Sequence, residues 1–291
     1  MRRLEDSLVK VLTTQIPDTA KVNVYYALSD LNSNSNTEIG LKYGKEGFAL
    51  AKELSWQRGV ANLGAIIAYN YFSRSDYPDA IDYWLKSLTI YEELGDRKKV
   101  ATILLNMGNV YSIQKNFAKA QEFYQKALTI NEKLGDKENI AMSLASIGGV
   151  LLEQKDFDRS LDYYNRALKI NAELDDKSSI ASNTGNIGVV YFTLKDYRKA
   201  LVFYFKALRI AQESGDNGSS VINMGNIGEC YYFIATDSIL LTPDSLVAAD
   251  RTTNLKKSID YLTRSVNLAK EIGFLNAVQE YSKYLADALV A

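Results

Sequence analysis

Self-similarity at a fixed interval constrains this chain more than any other feature. Leu94-Gly95-Asp96, Leu134-Gly135-Asp136, Leu174-Asp175-Asp176 and Ser214-Gly215-Asp216 recur at one constant interval, that from position 96 to position 136. Asp76, Asn116, Asp156 and Asp196 keep the same interval, as do Gly108, Gly148, Gly188 and Gly228, with Ala68 one period earlier. A fourth series is Tyr71, Tyr111, Tyr191 and Tyr231, with Leu151 in the gap. A repeat of this length is one supersecondary unit that buries its apolar face only by stacking on its neighbours. It therefore predicts an elongated array rather than the two globular domains that 291 residues would suggest.

Each period reads as two helices. In residues 97–134, Val100, Leu104, Met107 and Tyr111 fall at helical spacing, and so do Phe117, Tyr124, Ala127 and Leu128. The Gly-Asp pair separates one period from the next. Glycine accepts the left-handed backbone that ends a helix, and the aspartate caps the one that follows. Asp76, Asn116, Asp156 and Asp196 are the expected N-caps of the second helices. The short Lys115-Asn116 turn makes the two helices antiparallel neighbours. Gly108 is expected to meet Ala120 and Ala127, leaving a gap that the Tyr124 ring fills.

These residues resemble the tetratricopeptide repeat in a 40-residue form. Leu104, Met107, Gly108, Tyr111, Ala120, Tyr124 and Ala127 match its spaced signature, as do Thr184, Ile187, Gly188, Tyr191, Ala200, Tyr204 and Ala207. The family's proline near the end of the second helix is missing; Asn131 and Glu132 stand there. The resemblance implies an all-α fold, a right-handed superhelical solenoid of antiparallel helix pairs. Its first helices would line a concave groove.

The expected organisation is a single solenoid. An N-terminal helix and linker occupy 1–18, with Leu4, Leu8, Val11 and Leu12 on one face. A degenerate first pair spans 19–58, where Gly40, Gly44 and Gly47 suggest a looser end unit. Regular repeats follow at 59–98, 99–138, 139–178 and 179–218. The next repeat, 219–276, carries an insertion at 235–253, because the cap that the period places at position 236 is not met until Asn254. Residues 277–291 form a closing helix. The insertion's Ile239, Leu240, Leu241, Leu246 and Val247 are expected to pack back on the solenoid. The segment reads either as an elongated ordered connection or as a gating or docking loop.

Composition excludes several functions. There is no histidine, so the commonest general base and zinc ligand are absent, and no Ser-His-Asp or Cys-His mechanism can be assembled. Cys230 is alone, which rules out an intrachain disulfide or a cysteine-rich metal site. With 34 Lys and Arg against 35 Asp and Glu, no basic field calls for nucleic acid. No apolar stretch is long enough to insert in a membrane. Met1-Arg2-Arg3 runs straight into Glu5-Asp6-Ser7, so no signal-peptide core forms. Gly185-Asn186-Ile187-Gly188 lies within a helical pattern and cannot act as a phosphate loop, and Asp175-Asp176 marks a turn. No catalytic group, metal or cofactor is expected.

What remains is the exposed face of the first helices. Asn106, Ser146, Asn186 and Asn226 recur at one position of the repeat. Asn109 lies one turn beyond Asn106, and Asn183 and Asn223 one turn before Asn186 and Asn226. Glu229 and Tyr69 hold the position equivalent to Asn109. Each amide carries both donor and acceptor, so a ladder of them could bind a peptide backbone without reading its sequence. The same amides could instead bond to neighbouring helices or to water. Capture of a free C-terminal carboxylate is disfavoured, because Thr102, Leu105, Met142, Ser182, Gly185 and Ile222 stand where cations would be needed. Arg97-Lys98-Lys99 reads as a solvated surface. Most aromatics are core, with Tyr69 and Phe72 as groove contacts.

The expected function is a non-catalytic module that binds a protein or peptide segment in its groove. The run Asp30 to Leu54 and the inserted Ala235-Thr236-Asp237-Ser238 and Pro243-Asp244-Ser245-Leu246 resemble the repeat region of bacterial adenylate/guanylate cyclases or histidine kinases. That resemblance implies a regulatory region of a larger protein, on the periplasmic side of a membrane. The chain ends within a helical pattern at Leu289-Val290-Ala291, as a segment of a longer protein would. A stand-alone scaffold or peptide-responsive regulator, cytoplasmic in that case, is the alternative.

Overall fold

A computed structural model describes residues 2–237, 240–241 and 243–291, and all regular elements among them are helices. Contacts group the chain into two compact units, one ending at Asp136 and the other running from Lys137 to Ala291. The first contains α1 (Arg2–Leu12), α2 (Asp18–Leu31), α3 (Thr37–Glu53), α4 (Gln57–Ser73), α5 (Tyr77–Glu93), α6 (Arg97–Ile113) and α7 (Phe117–Leu134). The second contains α8 (Lys137–Glu153), α9 (Phe157–Glu173), α10 (Lys177–Thr193), α11 (Tyr197–Ser214), α12 (Asn217–Thr236), α13 (Arg251–Glu271) and α14 (Leu275–Val290). The fold is an all-α solenoid of antiparallel pairs.

One turn chemistry, applied twice in each repeat, makes this architecture. Ser55, Gly95, Gly135, Asp175 and Gly215 have positive φ, and so do Ser75, Lys115, Lys155 and Lys195, midway between them. After each left-handed residue the next N–H reaches back to a carbonyl in the last turn of the helix, as Asp96 N–H does to Tyr91 O (2.9 Å) and Asn116 N–H to Tyr111 O (2.8 Å). This is the Schellman closure. The same residue then caps the following helix. Asp96, Asn116, Asp156, Asp176, Asp196 and Asp216 each accept a bond from a backbone N–H in the first turn of that helix. So short a linker leaves consecutive helices no choice but to fold back on each other.

Two expected caps differ. Asp76 makes no side-chain cap bond; Arg74 Nε takes its carboxylate at 3.1 Å. Asn254 is not a cap at all. Asp250 starts α13 by accepting from Thr253 N–H at 2.7 Å, and Asn254 lies one turn inside, fully buried. Its amide accepts from Ala248 N–H (3.0 Å) and donates to Ala248 O (2.8 Å), which fastens the inserted segment to the helix.

The small positions have the expected role, with one refinement. The nearest neighbour of Gly108 is the Tyr124 ring rather than Ala120 or Ala127; Gly148 faces Tyr164 and Gly188 faces Tyr204 in the same way. All three rings are buried. Gly40, Gly44 and Gly47, which suggested a looser end pair, are points where α3 packs tightly. A methyl at Gly44 would sit 2.7 Å from Ile67 Cγ1, and one at Gly47 2.5 Å from Tyr25 Cβ.

The insertion is shorter than expected, since Ala235 and Thr236 still belong to α12 and Arg251 to Thr253 to α13. Val247 is buried against Leu201, Tyr231 and Ile234, with Leu240, Leu241 and Leu246 partly buried beside it. Ile239 lies outside the described residues. Arg198 pairs with Asp244 and donates to Leu240 O at 2.9 Å. Tyr231 Oη and Lys257 Nζ both donate to Leu246 O, at 3.0 and 2.7 Å. The segment is thus packed down on α11–α13.

Candidate functional site

Six of the nine predicted groove residues, Tyr69, Asn106, Asn183, Asn186, Asn226 and Glu229, line three clefts, each within one unit. In the first unit α2, α4 and α6 contribute to a cleft of about 310 Å³ lined by Tyr26, Asp30, Tyr69, Lys99, Thr102 and Asn106, among others. In the second unit α8 and α10 line one of about 210 Å³ that holds Asn183 and Asn186 with Glu138, Met142, Asp176 and Ser179. Also in the second unit, α10, α12 and α14 line a cleft of about 380 Å³ that holds Asn226 and Glu229. The lining comes mainly from first helices because their partners, packed behind them, fill the core.

The candidates differ in how free they are. Asn106 and Asn186 are half-buried and have no partner within the chain among the described residues. Asn183 is buried at the base of its cleft. Asn226 Oδ1 accepts from Tyr281 Oη at 3.0 Å, so one lone pair is committed to holding α14. Asn109 is not among the residues lining these clefts, and its Oδ1 accepts from Tyr124 Oη at 2.6 Å. Burial raises the Tyr124 hydroxyl to about 12, so it remains a donor at neutral pH. Asn223 is buried, donates to Ser219 O at 2.8 Å and turns Oδ1 towards Gly185. Ser146 is half-buried on α8, outside the three linings.

Sequence reasoning missed several lining residues. Lys99 is exposed, as read, and also lines the cleft beside Thr102 and Asn106 with Asp30. Its spacing from Asn106, two turns along α6, was visible; its companions on α2 were not. Lys98 does face solvent and pairs with Asp136 at 3.0 Å. Phe274, Asn276, Glu280 and Tyr281 join Asn226 and Glu229 because α14 packs on α12. Tyr69 lines the first-unit cleft, whereas Phe72 packs against Tyr77 and Trp84, with ring centroids 6.0 and 5.9 Å apart. Glu229 is the electrostatic outlier. Burial, then repulsion from Glu280, raises its carboxyl from the usual 4.5 to about 8.

This arrangement is similar to that of tetratricopeptide-repeat proteins. Family models for the tetratricopeptide repeat match residues 62–133, 99–173 and 185–214. The chain contains tetratricopeptide repeats.

Among solved structures, the chain is similar to BtubC from P. vanneervenii, with TM-score 0.64 and 20% identity over 82% of this chain and 93% of that one. It is also similar to a signal transduction ATPase with numerous domains from Pyrococcus horikoshii, described as having a tetratricopeptide repeat sensor. There the TM-score is 0.72 and the identity 19%, over 96% of this chain but 42% of that one. A Rap protein complexed with Competence and Sporulation Factor gives TM-score 0.65 and 14% identity over 99% of this chain and 80% of the other. At these identities the likeness is one of fold. No curated protein sequence matches the chain.

Proposed function

We propose that the chain is a non-catalytic binding module whose first helices hold a segment of another polypeptide, or of its own parent protein. One observation carries this reading. Among the residues singled out by repeat position, Asn106 and Asn186 line solvent-open clefts with donors and acceptors unspent by the fold among the described residues. An unpaired amide at an open cleft is suited to a backbone N–H and C=O presented by an extended chain.

Within that reading, a regulatory or sensory region of a larger signalling protein is the favoured setting. The resemblance of 30–54 and of the insertion to cyclase and histidine-kinase repeat regions supports it. So does the fold likeness to a sensor segment embedded in a longer ATPase. The alternative, a stand-alone regulator that responds to a peptide, draws on the likeness to the Rap protein bound to Competence and Sporulation Factor.

The test is selection of peptides from a random 12-residue display library on the intact chain. Replacing Asn106 and Asn186 together with Ala is expected to weaken the selected peptides about tenfold or more while far-UV circular dichroism stays unchanged. Asn226 is left out because its loss would also remove one of the two acceptors of Tyr281 Oη, the other being Ile222 O. Unchanged affinity would remove the asparagines from the account, and failure to enrich any peptide would remove polypeptide binding itself.

A further inference from the structure

The cleft between α10, α12 and α14 contains a carboxylate with nothing to neutralise it. Glu229 is 8% exposed, and neither a hydrogen bond nor an ion pair engages it among the described residues. A second carboxylate, Glu280 on α14, lines the same cleft, and neither lysine nor arginine does. A buried unpaired charge is costly, and native folds ordinarily pair it. Here the burial is not complete, because Glu229 opens on a solvent-connected space of about 380 Å³. The walls of that space are largely aromatic: Phe192, Tyr204, Phe274 and Tyr281. Aromatic faces attract cations and pack the carbon stem of a long basic side chain. Asn226 and Asn276 at the lining add amide oxygens as acceptors.

We propose that this cleft is the receptor for a basic side chain, the guanidinium or alkylammonium of an arginine or lysine on the bound polypeptide, with Glu229 as its counter-ion and Glu280 reinforcing it. The assignment rests on the polypeptide-binding reading above and adds the ligand chemistry to it. The empty cleft keeps Glu229 largely protonated near neutrality, since burial and Glu280 raise its carboxyl to about 8. An arriving cation displaces that proton, so binding is coupled to proton release. The other titratable groups that interact with Glu229 are Tyr204 on α11, Tyr281 and Tyr284 on α14, and Cys230 beside it. Burial drives each of the four upwards, away from neutrality, so none mimics its titration.

The experiment is the same 12-residue library selected in parallel on the native chain and on Glu229→Gln. Native-selected peptides are expected to share an arginine or lysine at one register. Replacing that residue by norleucine, or Glu229 by Gln, should each cost at least about tenfold in affinity, and the two losses should not add. Affinity for the native chain should rise about fiftyfold between pH 6 and pH 8, as the ionised fraction of a carboxyl near 8 does, and stay flat for Glu229→Gln. Selected peptides without a shared basic residue, or ones that bind Glu229→Gln as tightly as the native chain, would overturn the cleft assignment and leave polypeptide binding standing. Enrichment of no peptide at all would overturn both.

Discussion

One added methyl at Gly188 should destabilise the protein, whereas the same methyl at Gly148, one repeat earlier, should be nearly neutral. Both glycines lie in the second unit and both face a buried tyrosine ring. At Gly188 the methyl would sit 2.6 and 2.7 Å from Tyr204 Cε1 and Cδ1; at Gly148 it would sit 3.1 Å from the corresponding atoms of Tyr164. Carbon pairs rest at about 3.5–4.0 Å, so the first site demands a shift of nearly an ångström and the second only a few tenths. The Tyr204 ring is 1% exposed and has no room to retreat. Overpacking of this kind costs about 1–3 kcal/mol. Against it, Ala in a helix interior gains about 1 kcal/mol over Gly. The net expectation is a loss of up to about 2 kcal/mol for Gly188→Ala and a change within about 0.5 kcal/mol for Gly148→Ala. Gly149→Ala is the built-in control, because its methyl meets only Tyr164 Oη, at 3.4 Å. It should show the propensity gain alone. Urea denaturation followed by circular dichroism reads the midpoints, with the slope checked because repeat arrays can depart from two-state unfolding. Equal losses at Gly148 and Gly188, or a larger one at Gly148, would refute the claim that ring clearance sets the cost.

Two further predictions concern backbone strain and pH. Lys155 has φ 63°, and nothing surrounds a Cβ at Gly135, φ 67°; Lys155→Gly should therefore raise the unfolding midpoint and Gly135→Ala lower it, each by up to about 1 kcal/mol, as thermal melts of the pair would register. For Glu229 the folded value of about 8 lies above the ordinary 4.5, so between those two pH values the folded state holds a proton that the unfolded state has lost. Stability from this group is intact below pH 4.5, falls as pH rises towards 8, and reaches its full deficit, of order 5 kcal/mol, above that. Glu229→Gln removes the deficit, so its advantage in melting temperature over the native chain should be small at pH 4.5 and widen to pH 8.

The architecture was legible because each repeated residue reports a local constraint that the chain meets once per repeat. Gly95 and Gly135 mark left-handed turns, Asn116 and Asp196 mark caps, and Gly108 marks a close approach, all readable without knowing the rest of the molecule. The misreadings came where a neighbour competes. Asp76 has the right type and position for a cap, but Arg74 takes the carboxylate. Asn254 keeps the cap chemistry and spends it on Ala248, because an insertion lies just upstream and Asp250 begins the helix one turn earlier. The midway turns at Ser75, Lys115, Lys155 and Lys195 were expected, yet their left-handed backbone was not, since no glycine announces it.

The clefts follow a different logic from the frame that holds them. Positions 68, 108, 148, 188 and 228 all carry small side chains, as helix packing requires, while the next position along reads Tyr69, Asn109, Gly149, Val189 and Glu229. The first series is confined by the ring or side chain packed opposite it, so geometry leaves it little choice. The second faces outward from the pair, and packing places no comparable demand on it. Val189 and Glu229 line the same cleft from adjacent first helices, one supplying apolar wall and the other charge. Phe274 and Glu280, which complete it, belong to a closing helix outside the repeat register. Periodicity therefore specifies where a cleft opens, and the residues free of periodicity specify what it can hold. That is why Asn106 and Asn186 could be picked out by counting, whereas the partnership of Glu229 with Glu280 required the packing of α14 on α12.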